Sequence, residues 1–263
     1  RRYSGGFEKG IMLYIKSLSN IRAMAEGGRL LFETLELLKS EIRPGISTKD
    51  LNKSAECFII KNGAVPGFKG YGGFPAGVCI SINQEVIHGI PSDRVLKRGD
   101  IVSLDAGVYY KGFHTDAART YAVGETSSQA RALIEATERS FFEGMLQARA
   151  GRRISDISHA VEEYIKPFGY GIVRDFTGHG VGFELHEDPA IPNYGRPGRG
   201  LRIQEGMTLA IEPMITLGSG DVKILEDGWT TVTSDGSYAA HYENTVAIID
   251  GAPVILTAPD VSI

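Results

Sequence analysis

The stretch VSLDAGVYYKGFHTDAARTY, residues 102–121, decides how the rest of the chain is read. Two apolar runs flank Lys111-Gly112, a pair that suits the two-residue loop of a tight β-hairpin. If these two are the central loop residues, Asp105 stands opposite residue 118. Asp116 is two residues from 118, and side chains alternate along a strand, so Asp105 and Asp116 share a face. They form a diagonal cross-strand pair, ~7–8 Å apart at the backbone. A carboxylate inside an apolar strand is costly unless it is paired, protonated or bound to a cation, or the strand is an edge with that side in water. Two metal ions ~3.5–4 Å apart would suit the separation of this pair. A one-residue slip in pairing would turn every side chain to the other face and undo the argument.

Working outward, the same pattern recurs. GDIVSLD (99–105) aligns with GMTLAIE (206–212) at a shift of 107, placing Glu212 on Asp105. His114-Thr115-Asp116 resembles His241-Tyr242-Glu243. At a shift of 106, Arg43–Gly63 aligns on Arg149–Gly169 with six of 21 positions identical. Each half thus carries a carboxylate ending an apolar strand and then a His-x-carboxylate, as two related half-domains around one shared site would.

The elements around these motifs follow from periodicity. Leu31, Leu35, Leu38 and Ile42 form one stripe of a helix expected over about Ser19 to Arg43, stopped by Pro44-Gly45. Ser47 and Asp50 make a capping pattern for a second helix ending at Gly63. Residues 64–98 are turn-rich, with a short strand at Val78 to Ile82, and 100–123 read as two strands. Helices are expected over 127–149 and 155–166, and residues 170–250 return to short strands and Gly-rich turns. The expected organisation is a leader over residues 1–11 and a single domain over 12–263, with half-domains of about 12–125 and 126–255.

Composition narrows the function. The 263 residues carry a net charge of −4, which argues against a general nucleic-acid binder and against DNA as a partner. No apolar run approaches the ~18 residues of a membrane-spanning helix, and the first ten residues hold no apolar core of a secretory signal. Two cysteines, Cys57 and Cys79, are too few for a disulfide framework or a Cys-type zinc site. The expected compartment is the cytoplasm. The 33 glycines are nearly twice the usual share of ~7% and point to many tight turns.

Among six histidines, His159 lies on the 155–166 helix and reads as solvated, whereas His114 and His241 flank Asp116 and Glu243 as packing or supporting groups. His88, His179 and His186 lie in the turn-rich segments VIHGIP and TGHGVGFELHEDP. His179 sits between two glycines, which let a ligand approach the imidazole closely. Together VCISINQEVIHGIP (78–91), residues 102–121, TGHGVGFELHEDP (177–189), GMTLAIEPM (206–214) and HYENTV (241–246) resemble the type I methionine aminopeptidases, over nearly all of residues 12–255.

That resemblance implies an α+β pita-bread fold, a curved antiparallel sheet covered by helices. It implies five metal ligands, Asp105, Asp116, His179, Glu212 and Glu243, holding two divalent ions. Four carboxylates would balance the charge of two such ions, and oxygen with one imidazole suits Co, Mn, Fe or Zn. The implied reaction removes N-terminal methionine from peptides and nascent proteins, with hydroxide generated between the metals as nucleophile. Glu212 would also accept a proton, His186 would bind the scissile carbonyl and its developing charge, and His88 would contact the scissile amide nitrogen. The methionine side chain would sit among Tyr71, Phe74, Cys79, Leu185 and Trp229, with Phe68 nearby. Cys79 is read as a wall residue, since no base adjoins it.

The alternatives are an aminopeptidase P or prolidase-like peptidase, or a binding module without catalysis on the same fold. The first typically carries an extra N-terminal domain, and only about 20 residues precede the first helix here. The type II enzymes carry a helical insertion for which the 33 residues from His179 to Glu212 leave no room. The expected partners are a peptide or nascent chain with free N-terminal Met and a transient ribosome contact, for which Arg196, Arg199 and Arg202 are the candidate basic loop. The expected oligomeric state is a monomer.

Overall fold

The computed structural model describes residues 12–261 and 263; the leader expected over 1–11 lies outside the described residues. Helix α1 (Leu18–Glu41) starts just ahead of the expected Ser19, because Ser17 and Asn20 cap each other. The Asn20 N–H donates to the Ser17 hydroxyl (3.2 Å) and the Ser17 N–H to the Asn20 side-chain oxygen (3.0 Å). Helix α2 (Thr48–Lys61) opens on Ser47, whose hydroxyl accepts the Asp50 N–H at 3.1 Å. Helix α3 (Ser128–Met145) stops short of residue 149. There the N–H groups of Gln147 and Ala148 turn back to the Gly144 and Met145 carbonyls, and Ala150 donates to Gly251. Helix α4 spans Ile154–Ile165. Gly144 lets α3 lie against it, since a Cβ there would stand 2.7 Å from a Val161 methyl. No helix among the described residues is long and apolar enough to cross a membrane.

The decisive stretch is a hairpin of strands Ile101–Tyr110 and Phe113–Ala122. Lys111 (φ 50°) and Gly112 (φ 88°) both turn through the left-handed region, as a two-residue hairpin loop demands. Asp105 pairs with Ala118, the register expected from the loop. This hairpin is part of a nine-stranded sheet whose main path runs through strands 65–66, 101–110, 113–122, 243–249, 208–211, 178–180 and 187–191. Strands Val78–Ile82 and Ala252–Ile255 pair alongside, and the ladder pairings are antiparallel.

The repeat seen in the sequence is physical. Helices α2 and α4 begin at positions 48 and 154, 106 residues apart. Gly45 (φ 94°) precedes one as Gly151 (φ 90°) precedes the other, and Gly63 and Gly169 follow at φ 76° and 69°. Even the isolated bridges correspond, Ser47 with Val95 and Arg153 with Arg202.

The helices cover one face of the sheet. Leu104, Ala106, Val108, Ile80 and Ile82 pack against α1 and α2 through Leu31, Leu35, Leu38, Leu51 and Ile59. In the other half Leu209, Ile211, Val246 and Ile248 meet Phe141 of α3 and Ile154 and Ile157 of α4. The opposite face of the same strands is left for the site.

Candidate metal centre and active site

Register alone puts the acidic residues together. Asp105 pairs with Ala118, and Ala118 pairs with Glu243, so the three share a face. Asp116 is two residues from Ala118 and joins them by alternation. In the second half, Ala210 pairs with both Thr245 and His179. Glu212 follows Ala210 by two residues, just past the Thr208–Ile211 strand, and meets the same face. Cys79 pairs with Asp105 and faces the same way. On strand 101–110 Asp105 therefore faces the site, while Val102, Leu104, Ala106 and Val108 on the other face fill the core.

The result is a buried cluster of like charges. Ligand atoms of Asp116, His179 and Glu243 lie within 4.8 Å of one another. The His179 Nε2 is 3.4 Å from Glu212 and 3.9 Å from Asp116. Burial pushes the Asp105 carboxyl up to about 7. Burial first, and the neighbouring carboxylates second, push Asp116, Glu212 and Glu243 well above the usual range. Asp105 Oδ1, Asp116 Oδ1 and Glu243 Oε1 are buried with no hydrogen-bond partner among the described residues. The His179 Nδ1 lies 2.8 Å from the Gly180 carbonyl, so that nitrogen carries the proton and Nε2 turns its lone pair toward the carboxylates. Lone pairs converging in this way repel unless a cation stands among them. The donor set, mostly oxygen with one imidazole, fits divalent metal ions.

His241 stands behind this cluster. Its Nε2 is 3.8 Å from both Glu212 and Glu243, neither ring nitrogen has a hydrogen-bond partner among the described residues, and burial pushes the imidazole down to about 3. His114 instead packs on the Tyr109 ring at 4.7 Å, away from the cluster, and His159 is half-exposed on α4.

All twelve site residues expected from the sequence surround one cavity of about 220 Å³. Asp105, Asp116, His179, Glu212 and Glu243 are at one end. Tyr71, Phe74, Cys79, Leu185 and Trp229 form the wall, and His88 and His186 border it. Phe68 also faces inward, which its sequence position left open. Ile87, Phe176 and Thr177 line the cavity too and were missed. Their signal was adjacency: Ile87 precedes His88, and Phe176-Thr177 precede the Gly178-His179-Gly180 run.

The wall is largely aromatic. Phe74 meets Trp229 edge-on at 5.2 Å. Burial and the nearby carboxylates raise the Cys79 thiol, so it remains protonated and serves as apolar surface. His88 is held at φ 60°, a conformation that non-glycine residues resist, and stands edge-on to Phe176 (5.7 Å) and Trp229 (6.1 Å). Gly89 must follow it, because a Cβ there would be 2.3 Å from the Ile80 carbonyl oxygen. Burial lowers the His88 imidazole to about 4, leaving it neutral at pH 7. The His186 Nδ1 is 2.8 Å from the Tyr71 hydroxyl, and its ring lies 4.3 Å from that of His179.

Comparison with known proteins agrees with this geometry. Residues 22–250 match the model of metallopeptidase family M24. A methionine aminopeptidase of Clostridium acetobutylicum is 56% identical over 247 residues, covering 94% of this chain and 99% of the relative. The crystal structure of a methionine aminopeptidase from Thermotoga maritima superposes with a TM-score of 0.92 at 43% identity, covering 94% and 99% of the two chains. A prolidase from Pyrococcus furiosus shares the fold at a TM-score of 0.76 and 24% identity, with 66% of its chain covered. The chain belongs to metallopeptidase family M24, among its methionine aminopeptidases.

Proposed function

We propose that the chain removes the N-terminal methionine from peptides and nascent proteins, with Asp105, Asp116, His179, Glu212 and Glu243 holding two divalent metal ions. The observation that carries this reading is the junction of a buried acidic cluster with a largely aromatic wall in one cavity. Identity to the methionine aminopeptidases supports the substrate.

When bound, the ions supply Lewis acidity and make hydroxide available near neutral pH. The chain does the rest. The wall of Phe74, Cys79, Leu185 and Trp229 takes the methionine side chain and excludes water. The Tyr71 hydroxyl, donating to the His186 Nδ1, leaves the Nε2–H to donate to the scissile carbonyl oxygen. His88, neutral and fixed by its aromatic neighbours, meets the scissile amide nitrogen. The Glu212 carboxylate accepts the proton released by the attacking water. The substrate's α-amine enters at the acidic end, so an acylated terminus is excluded.

The ribosome contact is proposed on a surface that folding assembles. Pairing of Arg153 with Arg202, and of Ile154 N–H with the Leu201 carbonyl, brings Arg149, Arg152 and Arg153 beside Arg196, Arg199 and Arg202. Salt-sensitive pelleting with ribosomes tests it; pelleting unchanged in an Arg199→Glu, Arg202→Glu variant refutes it.

The central test uses metal-reconstituted protein and three substrates: a Met-Ala peptide, its N-acetylated form and an Ala-Pro peptide. Methionine release from the free Met-Ala peptide alone, abolished by Asp116→Ala, is the expected result. Cleavage of Ala-Pro alone would move the chain to an aminopeptidase P-like activity. No turnover with Co, Mn, Fe or Zn would leave a binding module.

A further inference from the structure

We propose that the buried ion pair of Lys16 and Glu187 is a pin that positions His186, which makes Lys16 a positioning residue for the reaction. This rests on the role proposed above for His186.

Lys16 lies just before α1, 171 residues from Glu187 in sequence, yet both side chains are 1% exposed and their charged ends are in contact. The two oxygens of Glu187 are divided between two tasks. Oε2 takes the Lys16 ammonium, and Oε1 accepts the Glu184 N–H at 3.1 Å, closing the turn that holds Leu185 and His186. The Gly182 N–H donates to the Glu184 carbonyl at 3.0 Å within the same turn. Lys16 is itself fixed at three points. Its N–H donates to the Gly206 carbonyl (2.8 Å), its ammonium donates to the Tyr14 carbonyl (3.2 Å), and the Phe183 ring lies 5.5 Å from Nζ.

The turn has been shaped around the lysine. Gly182 has φ 151°, and a Cβ there would stand 2.4 Å from the Lys16 Cε and 3.0 Å from Nζ. Just beyond the pair, the Met12 N–H donates to the Asp188 carboxylate at 3.1 Å, and Leu13 bridges Asp188. The segment over residues 12–16 thus straps the chain on the far side of His186.

A buried ion pair is a poor way to gain stability, since an apolar pair of equal volume serves as well or better. It is a good way to select one register, because a shifted turn would strand a charge. What this register selects is the placement of the residue immediately before Glu187, His186 beside His179. Catalysis depends on such placement steeply, a 1 Å error costing on the order of 100-fold.

The test is the isosteric apolar replacement Lys16→Met, Glu187→Met in the metal-loaded enzyme. The expected result is retained folding and metal affinity, by thermal melting and calorimetry, with kcat on the Met-Ala peptide lowered about 10- to 100-fold and KM changed less than about 3-fold. Added to His186→Ala, the same pair of substitutions should lower kcat no further, because the pin acts through His186. Wild-type kcat in the folded apolar variant, with His186→Ala still impaired, would overturn the pin. Wild-type kcat in His186→Ala would instead overturn the role of His186 and the pin with it. If the double variant does not fold, Glu187→Gln takes its place. That isostere keeps an acceptor for the Glu184 N–H, and a kcat equal to wild type would overturn the proposal.

Discussion

Replacing Asp105 by Asn should stabilise the metal-free protein, and more so at high pH. Asp105 is 8% exposed and its carboxyl is raised to about 7. In the unfolded chain it titrates near 3.8, so between these values the folded state holds a proton that the unfolded state has lost. A carboxyl raised on folding contributes stability that is present below the unfolded value and disappears as pH rises through the folded one. Integrated over the shift, the loss is about 4 kcal/mol at pH 8 and about 2 kcal/mol at pH 5. An asparagine does not titrate, and its amide can donate to the Asp116 carboxylate that Asp105 contacts in the folded protein. The difference in unfolding free energy between Asp105→Asn and wild type should therefore be about 2 to 3 kcal/mol more favourable to the variant at pH 8 than at pH 5. The difference matters because His88 and His241, lowered to about 4 and 3, oppose the trend as pH falls and cancel between the two proteins. The assay is urea unfolding of EDTA-treated protein at both pH values. A stability difference independent of pH, or one favouring the variant more at pH 5, would refute the buried, cation-seeking carboxyl. With metal added the order should invert, because only wild type gains the full binding energy.

Three further outcomes are expected. Trp229→Ala removes the edge-on partner of Phe74 and should raise KM for Met peptides about 3- to 10-fold, measured by steady-state kinetics with the metal content checked. His88→Asn should lower kcat about 100-fold while leaving the acid limb of the kcat/KM profile above pH 5 in place, since His88 is already neutral there; a displaced limb would contradict this. Phe141→Ala, at a side chain with no exposure that meets Phe142 at 5.1 Å and Tyr242 at 5.3 Å, should cost about 3–5 kcal/mol in urea unfolding.

Much of the frame was legible because local rules enforce it. Lys111-Gly112 closes a two-residue loop, and the parity of that loop fixes Asp105 opposite Ala118, so the acidic face followed from counting. Ser47 and Asp50 announced α2 for the same kind of reason, a side chain satisfying helix N–H groups a few residues away. Helix ends were harder. α3 stops at Met145, where Gln147 and Ala148 turn back to the Gly144 and Met145 carbonyls, and the chain then pairs Ala150 with Gly251, a partner that no local pattern marks.

The amino-acid order alone marked the residue types proposed to bear the chemistry, the repeated pattern that carries them, and the strand parity that turns the carboxylates to one side. These depend on alternation, capping and turn geometry, which act over a few residues. Contacts across the fold needed the folded chain. The Tyr71 hydroxyl meets a histidine 115 residues away, Phe68 turns inward beside Leu185, and Lys16 closes on Glu187 beneath Gly182. Such pairs are chosen by packing and by the cost of leaving a buried charge alone. Those forces act between segments whose proximity exists only after the sheet has formed.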